Sequence, residues 1–249
     1  MKYGWQQFRI ALDFLTILPI DRSLQATPER LGRSMALFPA AGVLLGLILV
    51  VLNGMLGAFI PRAVLDCLLL LILIVITGAL HLDGIADLLD GLAGGKDRKG
   101  VLRTMKGSRI GAMGVVGLVM LLLLKYLCLF NLPLELKSAG LIFMPAAGRW
   151  VQVVLAASCR CLYGPGETGK VFLDYAGERE LLIASGSLIA VALVLFGLQG
   201  VFLIFLLGIA AMLLIKYFEM RLGGVTSDVL GASSELIEVL SLLLVLAVI

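Results

Sequence analysis

The run Gly78-Ala79-Leu80-His81-Leu82-Asp83-Gly84-Ile85-Ala86-Asp87-Leu88-Leu89-Asp90-Gly91 places three carboxylates at i, i+4 and i+7. On a helix turning about 100° per residue they fall within an arc of about 60° and make one acidic face. Like charges stacked this way repel by a few tenths of a kcal/mol per pair in water, and by more where the dielectric is low, so the pattern predicts a compensating cation. Oxygen ligands beside a phosphate suit Mg²⁺, which is commonly held by one or two carboxylates together with phosphate oxygens and water. A second acidic group, Asp228, Glu235 and Glu238, follows the glycines Gly223 and Gly224. Asp228 and Glu235 are seven residues apart and share a helical face, with Glu238 within about 80° of both. Between the two groups come Arg103, Lys106, Ser108 and Arg109 beside Gly107 and Gly111, cations stepped to meet phosphate oxygens next to glycines that admit close backbone approach. His81, the single histidine, stands two residues from Asp83; it is a candidate site residue, against the plainer reading of a hydrogen-bonded helix end. These residue types describe a divalent-metal site with a phosphate beside it.

The elements that position them are set by composition. Of 249 residues, 61% are apolar and 15% charged, whereas a soluble domain has about 45–50% and roughly a quarter. One water-soluble core cannot hide so much apolar side chain. Disorder, collagen, coiled coil and a small disulfide scaffold are excluded by long, aperiodic, nearly charge-free runs. At about 20 apolar residues per crossing, seven transmembrane helices are predicted, near 36–60, 63–82, 110–130, 139–158, 181–199, 201–218 and 230–249. The expected fold class is all-α, a polytopic helical bundle in the membrane, forming a single domain over residues 1–249. Trp5, Phe8, Leu12 and Leu15 recur at helical spacing and predict an N-terminal amphipathic helix, lying on the bilayer or packed against the bundle. Gln6, Gln7, Arg9 and Asp13 interrupt any signal-like stretch.

With the N-terminus inside, sixteen of the twenty Lys and Arg residues fall in cytoplasmic segments, and only Arg62 and Lys137 in outer ones. Both acidic groups are then expected on the cytoplasmic face. Lys125 and Arg149 fall within apolar runs. Arg149 must find an anion or carbonyls there, and a structural partner such as Glu219 competes with a substrate phosphate. Arg98 and Lys99 read as topology anchors. The basic residues are interspersed with acids in short loops, which argues against a nucleic-acid partner. The four cysteines lack further zinc ligands and read as reduced thiols. Gly164-Pro165-Gly166-Glu167-Thr168-Gly169-Lys170-Val171 approaches a phosphate-binding loop, but Val171 replaces the required Ser or Thr. Gly42 and Gly46 read as close helix packing.

The run from Gly78 to Gly91, followed by Met105-Lys106-Gly107-Ser108-Arg109-Ile110-Gly111, resembles the signature of the adenosylcobinamide-GDP ribazoletransferase, or cobalamin 5'-phosphate synthase, family. Phe14 to Pro19, Phe38-Pro39, and Gly224 to Ala232 with Glu235 extend the likeness along essentially the whole chain. This chain has Ser227 where the family usually has Gly, and Gly107 where it usually has Asp, so position 107 is not counted as a metal ligand. The resemblance implies transfer of the cobinamide phosphate of adenosylcobinamide-GDP to α-ribazole or its 5'-phosphate with release of GMP, in a prokaryotic cytoplasmic membrane. It also implies Mg²⁺, assigned here to Asp83, Asp87, Asp90 and Asp228, with Glu235 as a further ligand. Lys106, Ser108, Arg109 and Arg149 are assigned to the substrate, and His81 or an aspartate (Asp83 or Asp87) to proton transfer. The expected partners are these substrates and the bilayer, with a homo-oligomer left open. Two rivals fare worse. A CDP-alcohol phosphotransferase would continue Asp-Gly with Ala-Arg, where this chain has Ala86-Asp87, and a cation-coupled transporter predicts midplane acids and internal repeats.

Overall fold

Backbone polar groups have no partner in hydrocarbon, so long apolar runs close their hydrogen bonds internally as helices. The computed structural model describes residues 2–18, 27–107, 109–162 and 169–249, and among these the chain forms twelve α-helices. In order they are α1 (Lys2–Leu15), α2 (Pro28–Arg33), α3 (Phe38–Leu56), α4 (Arg62–Ile76), α5 (Leu80–Gly94), α6 (Arg98–Met105), α7 (Ala112–Asn131), α8 (Leu134–Ser158), α9 (Lys170–Tyr175), α10 (Glu178–Phe196), α11 (Leu198–Arg221) and α12 (Ser227–Val248). Ser108 and most of the loop resembling a phosphate-binding one, residues 163–168, lie outside the described residues.

Six helical segments, ending in or comprising α3, α7, α8, α10, α11 and α12, are long and apolar enough to cross a membrane, and a seventh crossing results if α4 and α5 count as one broken span. The polytopic all-α fold is as expected, but the second crossing is not one straight helix over 63–82. Helix α4 stops at Ile76, and α5 leaves it at 91°. The break is local. Gly78 and Ala79 both adopt left-handed backbone, φ +61° and +56°, a region glycine enters freely and alanine at a cost of about 1–2 kcal/mol.

The bundle is layered from the inside out. Helix α8 is its axis, buried on nearly all sides, and α12 is mostly buried beside it, while α7, α10 and α11 present most of their surface outward. Their outward side chains include Val119, Val194, Leu198, Phe205 and Leu213, the apolar exterior that lipid requires. Helix α3 packs on α8 through Gly42 and Gly46: a Cβ at either would collide with α8 backbone, at Pro145–Ala146 and at Ile142. That is the close packing their spacing predicted. Helix α1 is amphipathic, with Ala11, Leu12 and Leu15 buried against the bundle and Trp5 exposed.

The end where α4 and α8 begin has its own clamp. Asp66 is fully buried, its Oδ1 2.5 Å from Lys137 Nζ and its Oδ2 3.8 Å from Arg62 Nε, so the two cations read as outer loop charges meet one acid between helices.

Candidate active site

The acidic helix α5 is placed by glycines. At Gly84 a Cβ would strike the backbone of Asp228, and Gly231 lies against His81. Helices α5 and α12 therefore touch backbone to backbone, and the contact brings Asp228 to the α5 carboxylates. Asp87 stands in the combined field of Asp228, Asp83 and Asp90. Asp83 is exposed, while Asp87, Asp90 and Asp228 are half-buried. The start of α12 is held in turn by the Thr226 hydroxyl, which accepts from Val229 N–H at 3.3 Å. A short parallel bridge reinforces it, with Val225 N–H donating to Arg160 O at 2.8 Å and Leu162 N–H to Val225 O at 3.0 Å.

Asp90 has a second task. Its carboxylate accepts the N–H of Gly111 at 2.5 Å and of Gly114 at 2.8 Å, and so caps α7, whose first turn has unsatisfied donors and a positive dipole end. Glycine is needed at both positions, because a Cβ would press into that carboxylate. Helix α6 folds back on α5 where Gly91 and Gly95 admit Val101 and Met105. The exposed Lys106 and Arg109 follow directly, on the loop that Asp90 anchors. One acidic helix thus carries both the carboxylates and, through Asp90, the loop with the cations.

Glu235 and Glu238 open a spanning helix, where intramembrane acids usually face a polar interior, and they stand deeper along α12 than Asp228. They lie about 12 and 16 Å along α12 from Ser227 at 1.5 Å per residue, inside the bundle. There Lys125 Nζ donates to Glu235 Oε2 at 2.6 Å and to Glu238 Oε2 at 2.7 Å. Arg149, 1% exposed, pairs with Glu238 Oε1. The anion that Arg149 finds is therefore Glu238. Glu219, the partner considered from sequence, accepts the backbone N–H of Arg160 instead. Arg149 NH2 also meets His81 Nδ1 at 3.4 Å. A guanidinium has no lone pair to offer, so this contact favours the tautomer with Nδ1 as acceptor.

The structure thus brings together Asp83, Asp87, Asp90 and Asp228, with Lys106 and Arg109 on the adjoining loop, and holds Arg149 and Glu235 in a buried network with Lys125 and Glu238. Lys125 was visible as a charge in an apolar run, the usual mark of an intramembrane partner, but nothing in sequence named its acids. Among the described residues no group of three or more His, Cys, Asp or Glu side chains is already drawn into a metal centre. Mg²⁺ asks for less, one or two carboxylates completed by substrate phosphate and water, and a crowded oxygen-only set at the surface fits that mode. The cysteines are all free. At Cys159 burial, and after it the Glu219 charge, push the thiol up to about 11, so it stays a protonated, unreactive thiol.

A profile of the cobalamin-5-phosphate synthase family matches residues 7–246. The chain is 41% identical to an adenosylcobinamide-GDP ribazoletransferase of Geotalea daltonii, over 96% of each chain. It is 36% identical to one of Desulforamulus reducens, over 97% of this chain and 96% of that one, and 32% identical to one of Acetivibrio thermocellus, over 98% of each. No solved structure matches the chain.

Proposed function

The chain belongs to the cobalamin-5-phosphate synthase family, and from that premise we propose that it acts as an adenosylcobinamide-GDP ribazoletransferase. The ribose hydroxyl of α-ribazole, or of its 5'-phosphate, attacks the cobinamide phosphoryl group of adenosylcobinamide-GDP. A new P–O bond forms to the ribose oxygen, the pyrophosphate P–O bond breaks, GMP leaves with the bridging oxygen, and the hydroxyl proton passes to a base. The observation that carries this reading is the meeting of Asp228 with the α5 carboxylates across the Gly84 contact, beside Lys106 and Arg109.

Phosphoryl transfer asks chiefly for in-line positioning and charge neutralisation. Lys106 and Arg109 bind the pyrophosphate oxygens from the loop that Asp90 holds. Asp83, Asp87 and Asp228 are the residues that would hold Mg²⁺, which when bound supplies positive charge at the pyrophosphate. Asp90 keeps both oxygens on the start of α7 and positions the cationic loop. One carboxylate of the cluster takes the hydroxyl proton. His81 turns its Nδ1 to the Arg149 guanidinium, which takes that nitrogen away from the role of base. The site faces the cytoplasm of a prokaryotic cell from its inner membrane, a reading supported by the distribution of Lys and Arg.

The test is GMP release from adenosylcobinamide-GDP and α-ribazole by the detergent-purified chain with Mg²⁺. Wild-type protein should release GMP and form the cobalamin product, and Asp87→Asn should fall by at least about 100-fold, the scale of one electrostatic catalytic group. Folded wild-type protein that releases no GMP overturns the reaction; an Asp87→Asn variant with full turnover overturns the site.

A further inference from the structure

Beside the acid cluster lies a cavity of about 70 Å³ whose lining includes Phe14 of α1, Phe38 of α3, Phe172 of α9, Gln152 of α8, His81 and Asp228. Three features distinguish it from a packing defect. The three phenyl rings form one aromatic group drawn from three helices, with centroids 4.2 Å apart for Phe14 and Phe172, 6.0 Å for Phe14 and Phe38, and 6.1 Å for Phe38 and Phe172. Gln152 is 4% exposed as a residue and lines the cavity, and among the described residues its amide has no protein hydrogen bond, which leaves it open to the cavity. An amide held at a cavity wall with its donors and acceptor open is available to a ligand that enters. Finally, Asp228 belongs both to the cavity wall and to the carboxylate cluster, so whatever fills the cavity has its other end at the reacting groups.

We propose that this cavity receives the flat heteroaromatic base of the acceptor nucleoside, stacked against the phenylalanines, hydrogen-bonded to the Gln152 amide, and oriented so that its ribose emerges at Asp228. This assignment rests on the reaction proposed above. Two flat bases take part in that reaction, the guanine of the donor and the dimethylbenzimidazole of α-ribazole, and the chemistry of the wall separates them. Guanine's polar edge has partners in Asp228 and Ser227 of the wall, but guanine has no alkyl groups for the three phenyl rings to hold. The N-glycosylated dimethylbenzimidazole offers one ring nitrogen as acceptor and two methyl groups, which one amide and three phenyl rings satisfy.

The experiment varies α-ribazole and adenosylcobinamide-GDP separately in the GMP-release assay with full-length protein. Gln152→Leu, which keeps the volume and removes the amide, is expected to raise KM for α-ribazole about tenfold, the equivalent of one lost hydrogen bond, and to leave KM for the donor where it was. Phe172→Ala, checked for folding by its melting temperature, should act on the same constant. A rise in the donor KM instead would place guanine in the cavity and overturn the proposal, as would two folded variants in which neither KM moves. Free 5,6-dimethylbenzimidazole, followed by its own fluorescence, supplies a measurement that needs no turnover. Saturable binding to wild-type protein that weakens at least about fivefold in Gln152→Leu supports the cavity even if GMP release fails. Absent binding, or binding equal in both proteins, overturns it.

Discussion

At the scale of single residues, acids of the same type have opposite duties according to what faces them. Asp87 faces other carboxylates, so replacing its charge relieves repulsion. Asp87→Asn is expected to keep or raise the melting temperature while turnover falls, and a thermal melt run beside the activity assay checks both. Glu238 faces two cations: Lys125 at 2.7 Å, and Arg149. Glu238→Gln leaves Arg149 buried with no acid of its own. Breaking a buried pair from one side costs about 3–5 kcal/mol, so this variant should melt well below wild type or fail to accumulate in folded form. The acids themselves were legible because charge in an apolar chain is conspicuous, and Asp83, Asp87 and Asp90 were legible as one face because helical periodicity is fixed. Their pairing was not. Whether Arg149 meets Glu219 of α11 or Glu238 of α12 depends on which of the two helices packs against that face of α8, which tertiary packing decides. Gln152 gave no signal at all, since a lone amide in a helix is ordinary until its surroundings are known.

At the scale of elements, the site depends on how closely α5 and α12 approach. Gly84→Ala puts a methyl group into the backbone of Asp228. Overpacking of this kind costs about 1–3 kcal/mol, and because it moves Asp228 away from Asp87 the loss of turnover should exceed the loss of stability. Equal turnover in a folded Gly84→Ala protein would show that the spacing of the two helices is immaterial. The bend between α4 and α5 makes a paired prediction. Gly78→Ala forces a second non-glycine residue into left-handed backbone and should destabilise by about 1–2 kcal/mol, whereas Ala79→Gly should be tolerated or stabilising; denaturation midpoints of the two variants check the order. The crossing helices were readable from hydropathy to within a few residues at most ends. The bend was not, because hydropathy continues across Thr77-Gly78-Ala79 while the backbone turns.

At the scale of the whole molecule, the two ends of the bundle divide the work. The far end is a structural clamp of Asp66, Lys137 and Arg62, remote in role from the carboxylates of α5. Asp66→Asn strands Lys137, 3% exposed, and should cost about 3–5 kcal/mol of stability, while the protein that remains folded turns over at the wild-type rate per molecule. Loss of specific activity in that folded fraction would mean that the ends are coupled. The buried network between them has a consequence for biogenesis. Lys125 and Glu235 touch, yet 110 residues separate them along the chain. At roughly 5–20 residues per second, α7 leaves the ribosome roughly 5–20 s before α12 is made. During that interval Lys125 and Arg149 lack the acids of α12 that they meet in the finished bundle. Premature termination before α12 therefore leaves two buried cations without the acids that lock the finished bundle together, so such fragments are expected to be less stable in the membrane than the full chain.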